Sequence, residues 1–193
     1  YRKLGIKHKV SSIRKGGFVT MATETYKFLG KVTADGSSSV MTLSGIPQTH
    51  RDIEIIFQAK TNTGNGAAGA DITLNGDTGS NYRQNGWGIN GNTQLGNAQA
   101  TTHFDINYGS GPGNVNSQMM GWCKMYLLNY TNAVDHPGWY MNSSWDTYLV
   151  GAQWWSGALY NPSSAAAITS VTWTAVYTLE ANCSIAAYGI DYS

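Results

Sequence analysis

Between Ile46 and Ala59 the chain reads Ile46-Pro47-Gln48-Thr49-His50-Arg51-Asp52-Ile53-Glu54-Ile55-Ile56-Phe57-Gln58-Ala59. After the Pro47 turn, Ile53, Ile55 and Phe57 alternate with Asp52, Glu54 and Gln58. That is the period of a strand with one buried face and one wet face. Ile56 interrupts the polar side and predicts partial cover there. Tyr26–Val32, Ser39–Leu43, Ala70–Leu74, Thr101–Tyr108, Met119–Tyr130, Ala165–Tyr177 and Ser184–Ile190 also read as strands, and Trp139–Trp155 holds one bent strand or two. Turn formers separate them, notably Ala34-Asp35-Gly36-Ser37, Asn75-Gly76-Asp77 and the glycine-rich 109–113. Residues 78–100, rich in Gly, Asn and Gln, predict a long excursion with one strand near Gly86–Gly91. Roughly eight to ten short strands and no amphipathic helix predict an antiparallel sandwich or barrel.

Composition strengthens this reading. Charged residues make up 12% of the 193 positions, about half the usual share, while aromatics reach 12%. Few charges with many Thr, Tyr, Trp and Gly favour strands and turns over helices. A hydrophobic share of 41% excludes a disordered chain and suits one domain with a sizeable core. No apolar run has the length of a membrane helix, so a soluble chain is expected. The apolar stretch of a secretion signal is also missing.

Charge divides the chain into an extended arm, residues 1–22, and a single domain, residues 23–193. Residues 1–20 hold Arg2, Lys3, Lys7, Lys9, Arg14 and Lys15 with no acid, a charge of +6. The remaining six Lys and Arg face all eleven acids, leaving −5. So basic and apolar-poor an arm cannot fold alone and needs another surface to become ordered. An acidic neighbouring protein subunit suits it better than nucleic acid, although six cations would also favour phosphate. Alternatively, Met21-Ala22-Thr23 is a natural start, and Arg14-Lys15-Gly16-Gly17 reads like a translated ribosome-binding site. Residues 1–20 would then be leader.

Candidate chemistry is sparse. His8, His50, His103 and His136 are scattered, and His50 suits a turn cap. No nucleophile-elbow spacing and no facing carboxylate pair can be read. Asp71, Asn75 and Asp77 would suit a calcium ion, but turn chemistry explains them without a metal. Cys123 and Cys183 read as buried free thiols, with a disulfide as the alternative. Neither has a partner at metal-ligand spacing. No catalytic residue, metal or cofactor is therefore expected. Trp139, Trp145, Trp154 and Trp155 lie close in sequence. They suit core and subunit interface, or else a platform for sugar faces. Adjacent Trp154 and Trp155 must face opposite sides of a strand, so one of them is an interface candidate.

Several segments together resemble a family. Ile46-Pro47-Gln48-Thr49-His50-Arg51-Asp52-Ile53 resembles an "IPxTYxDL" segment of small β-rich virion proteins of tailed bacteriophages. Leu74-Asn75-Gly76-Asp77, then Asn81-Tyr82, resembles their "FNGDxxxNY" segment, and Leu128-Asn129-Tyr130-Thr131 their "IPNYT" element. Ala167-Ile168-Thr169-Ser170-Val171-Thr172 and Tyr188-Gly189-Ile190 are similar to their last two strands. The chain departs from the pattern at His50, where Tyr is common, and across 83–120. The resemblance implies an all-β, jelly-roll-like antiparallel sandwich acting as a non-enzymatic virion part on the particle surface. The expected form is a head-decoration (cement) subunit, a homotrimer bound through its arm to another virion protein such as the major capsid protein. A tail fibre or appendage subunit is the alternative. A module binding host-surface glycans through Trp139, Trp145 or Trp154 is another.

Overall fold

The computed structural model describes residues 26–62, 70–90, 93–105, 121–133, 138–146, 151–160 and 166–191. For 87–90, 93–101, 105, 143–146 and 151–159 it describes the backbone alone. These residues form strands and no helix. In chain order the strands are β1 (Tyr26–Thr33), β2 (Val40–Ser44), β3 (Asp52–Ala59), β4 (Ala70–Leu74), β5 (Tyr82–Asn90) and β6 (Thr93–Thr101). There follow β7 (Phe104–Asp105), β8 (Gly121–Leu127), β9 (Gly138–Asp146), β10 (Gly151–Tyr160), β11 (Ser170–Ala175) and β12 (Ser184–Ile190). They make two antiparallel sheets, an eight-stranded one ordered β1-β12-β3-β8-β9-β10-β5-β6 and a four-stranded one ordered β2-β11-β4-β7. The basic arm, with Arg2, Lys3, Lys7, Lys9, Arg14 and Lys15, lies outside the described residues.

Alternation puts one face of each sheet into a shared hydrophobic cluster. Ile53, Ile55, Phe57, Met125, Leu127, Ile185 and Ala187 enter it from the larger sheet, and Met41, Leu43, Ile72, Leu74, Val171 and Trp173 from the smaller. Phe57 and Trp173 join the two layers, with ring centroids 4.9 Å apart. A second aromatic group packs Phe104 between Tyr82 at 4.6 Å and Trp139 at 4.0 Å. Burying one such side chain contributes about 1.5–3 kcal/mol.

Special backbone conformations fall where the chain changes sheet. Asn75 and Gly76 both have positive φ, and the Asp77 N–H donates to the Leu74 carbonyl, closing a tight turn between β4 and β5. Asn75 adds a staple. Its amide donates to the Ala167 carbonyl and its Oδ1 accepts from the Thr169 and Ser170 N–H groups. At the start of β3, the His50 ring lies so close to Gly189 that a Cβ there would sit 2.4 Å from His50 Cγ. In β1, register shifts between Phe28 and Gly30, a bulge in an edge strand.

Several expectations need correction. Part of the 78–100 excursion is a hairpin, with β5 and β6 paired from Tyr82↔Thr101 to Asn90↔Thr93. Its Gly, Asn and Gln side chains are too uniformly polar to show a period of two. The Trp139–Trp155 stretch takes the second of its two expected forms, two strands, β9 and β10. Of the strand expected over Thr101–Tyr108, Thr101 ends β6 and Phe104–Asp105 form β7, while residues 106–108 lie outside the described set. The polar face of β3 is wet at Gln58 and half-covered at Ile56, as expected, but Asp52 and Glu54 on it are buried. β3 runs between β12 and β8, whose side chains cover it from either side.

Candidate functional site

Among the described side chains, the outer face of the larger sheet, opposite the core, gathers aromatic and charged groups. Register aligns Phe28, Tyr188, Glu54, Tyr126 and Tyr140 in one row across β1, β12, β3, β8 and β9. The next row holds Lys31, Ala186, Ile56, Lys124 and Asn142. Core residues of β8 and β9, such as Met125 and Met141, alternate with these positions, which is why the outer set turns away from the core. Phe28 and Tyr140 are 57% and 44% exposed, so this row presents ring surface to water.

Glu54 sits in the middle of the row and is only 3% exposed. Its Oε2 accepts the Tyr26 hydroxyl at 3.0 Å, and its Oε1 lies 3.1 Å from Lys124 Nζ. The Tyr126 hydroxyl also bonds to Glu54. Burial, followed by these contacts with Glu54, pushes the phenols of Tyr26 and Tyr126 above their ordinary value of 10.0. Phe28 meets Tyr188 edge to face at 5.7 Å, and Tyr126 lies 6.3 Å from Tyr140 with rings 32° apart. Hydroxyls turned inward to a carboxylate leave ring surface outward.

The smaller sheet presents a different outer face. Thr42, Thr172 and Thr73 form one row, with Thr42 and Thr172 hydroxyls 3.0 Å apart, and Ser44 pairs with Ser170 beside it. One sheet is aromatic outside, the other hydroxylated.

The tryptophans singled out in sequence separate. Trp139 is a core residue, buried against Phe104, and cannot be part of an exposed sugar platform. For Trp145, Trp154 and Trp155 the backbone alone is described. Register sets Trp145 opposite Ala152, Trp154 opposite Ser143 and Trp155 opposite Asn142. Trp122, half-exposed on the outer face, belongs beside Tyr140 and Phe28 as a surface aromatic. Alternation of Trp122, Lys124 and Tyr126 with Cys123 and Met125 was the readable signal for this face.

The other candidates have structural positions. His50 lies 3.7 Å from Asp191 and bonds to the Thr49 hydroxyl at the turn into β3. Asp77 accepts from the Gly79 N–H and the Asn81 amide, each at 2.7 Å, and from the Tyr160 hydroxyl at 2.8 Å. Burial opposes its ionisation, but these donors prevail and hold the carboxyl below its ordinary value. Asp71 pairs with His103 at 3.2 Å, a different partner from those that hold Asp77. Among the described residues no three His, Cys, Asp or Glu gather as metal ligands. Cys123 and Cys183 are buried free thiols, raised above their ordinary value by burial. Cys183 Sγ is held by the Lys60 backbone at 3.1 and 3.2 Å. No described helix is long and apolar enough to cross a membrane. No family model matches the chain, and neither does any curated protein or solved structure.

Proposed function

We propose that this chain is a non-enzymatic structural part of a tailed-bacteriophage particle, built as a jelly-roll sandwich and placed on the head surface as a decoration subunit. Strand order carries the reading. β1-β12-β3-β8 in one sheet and β2-β11-β4-β7 in the other make consecutive framework strands change sheet at every step except β4 to β7, which pair within the smaller sheet, the pattern of two interlocked Greek keys. β9, β10, β5 and β6 then extend the larger sheet beyond that framework. The phage-like segments lie on it in order: the Pro47 turn leads into β3, Asn75-Gly76-Asp77 follows β4, and Tyr188-Gly189-Ile190 ends β12. Mass contact through exposed aromatic area, within a trimer and against a capsid lattice, would be the mechanism.

The test is proteomics and cryo-electron microscopy of particles from the source of the sequence, with light scattering on the purified chain. The expected result is a trimer in solution and many copies per head. Copies confined to the tail would replace decoration by the fibre or appendage alternative. Absence from particles would overturn the reading altogether.

A further inference from the structure

The outer face of the larger sheet combines ring surface, positive charge and rigidity. We propose that it binds an acidic saccharide, whose sugar faces lie on Phe28, Tyr188, Tyr126 and Tyr140 while Lys124 meets the acid group. Neighbouring strands lie about 4.8 Å apart. The row therefore offers a ring or a polar group at each step across a broad, shallow surface. A sugar ring has an apolar C–H face and a hydroxyl edge, so it needs that mixture of aromatic faces and interspersed donors. Lys124 and Asn142 supply the donors in the adjoining row.

Rigidity comes from Glu54. By engaging the Tyr26 and Tyr126 hydroxyls it orients those rings before any ligand arrives, so less ordering cost remains for binding. Charge selects the ligand. Among its described side chains this face exposes Lys31, Lys124 and Arg83, whereas Asp52 and Glu54 are buried. A second copy docked face to face would set lysine against lysine, and lysine is depleted from the cores of protein interfaces. An anionic chain complements the face instead. The inference does not depend on where the protein sits on a particle, which the proteomic test decides separately.

The experiment titrates the full chain calorimetrically with alginate, heparin and sialyl oligosaccharides, using cellohexaose as the uncharged control. At least one acidic oligosaccharide should bind more tightly than cellohexaose, and added salt should weaken it. Tyr140→Ala should lower affinity roughly tenfold, the scale of one aromatic contact. Phe28→Ala, at the other end of the row, should act similarly. Lys124→Ala should flatten the salt dependence. Tyr140 and Phe28 are surface residues, so their variants should melt like the parent, which separates lost binding from lost folding. No preference for acidic over neutral sugars would overturn the proposal. So would tighter binding of single-stranded oligothymidylate than of any saccharide, or affinity untouched by both ring substitutions. An oligomer in light scattering that Tyr140→Ala dissociates would also overturn it, by showing that a second copy covers the face.

Discussion

A single glutamate sets the character of the exposed sheet face. Glu54 points away from the core, where a carboxylate would ordinarily remain hydrated, yet side chains from two other strands enclose it. Tyr26 reaches across β12 from β1, and Lys124 and Tyr126 come from the adjacent β8. An ordinary surface ion pair contributes about 0–1 kcal/mol. Here one partner is buried, so removing the other leaves a poorly compensated charge. Lys124→Ala is expected to cost about 1–3 kcal/mol in urea unfolding. Adding Glu54→Gln should recover part of that loss, because a neutral amide no longer needs the ammonium. A loss no larger than that of an exposed pair would show that water reaches Glu54 freely. The strand alternation made Glu54 legible as an outward residue. It could not make the enclosure legible, since Tyr26 and Tyr126 are 28 and 72 positions away in sequence.

The β4–β5 connection shows how an element depends on distant parts of the chain. Asn75-Gly76-Asp77 was readable as a turn because Asn and Gly accept positive φ cheaply, and both adopt it. The calcium alternative fades in light of the donors around Asp77, which are two nearby turn residues and the hydroxyl of Tyr160 on β10. Its carboxyl is held below the ordinary 3.8, so folding favours the ionised form. The stability it supplies is complete above about pH 4 and is lost as pH falls through the depressed folded value. Protection of the Gly79 backbone amide and the Asn81 side-chain amide, measured against their intrinsic exchange rates, should therefore fall in acid before the core opens. Asp77→Asn should abolish that acid step and cost roughly 1–2 kcal/mol at neutral pH. Exchange at these amides that follows global unfolding at every pH would sink the idea. Tyr160 lies 83 positions from Asp77, and no local pattern could announce their bond.

At the scale of the whole molecule, tyrosines tie the layers together and set an alkaline limit. Burial pushes Tyr82 up from 10.0 to about 12, and Tyr126 and Tyr160 are raised as well. Between those values the unfolded chain loses protons that the folded chain keeps, so stability falls as pH rises. Each such tyrosine can remove up to about 1.4 kcal/mol per pH unit, and Tyr82 alone roughly 2–3 kcal/mol by pH 12. Denaturant midpoints should drop steeply above pH 10, alongside phenolate absorbance appearing late in the native protein. A flat midpoint from pH 9 to 12 would contradict the burial of these rings. The sequence by itself determined the strand class, most of the framework strands and the sharp turns. Period-two alternation and the φ preferences of Gly and Asn are local properties that each segment carries alone. Only the tertiary structure decided that Trp139 is core, that polar residues 82–101 hold a hairpin, and that five separate strands align an aromatic row around a buried Glu54. Those outcomes depend on which strand lies beside which, and strand adjacency is settled by packing between residues far apart in the chain.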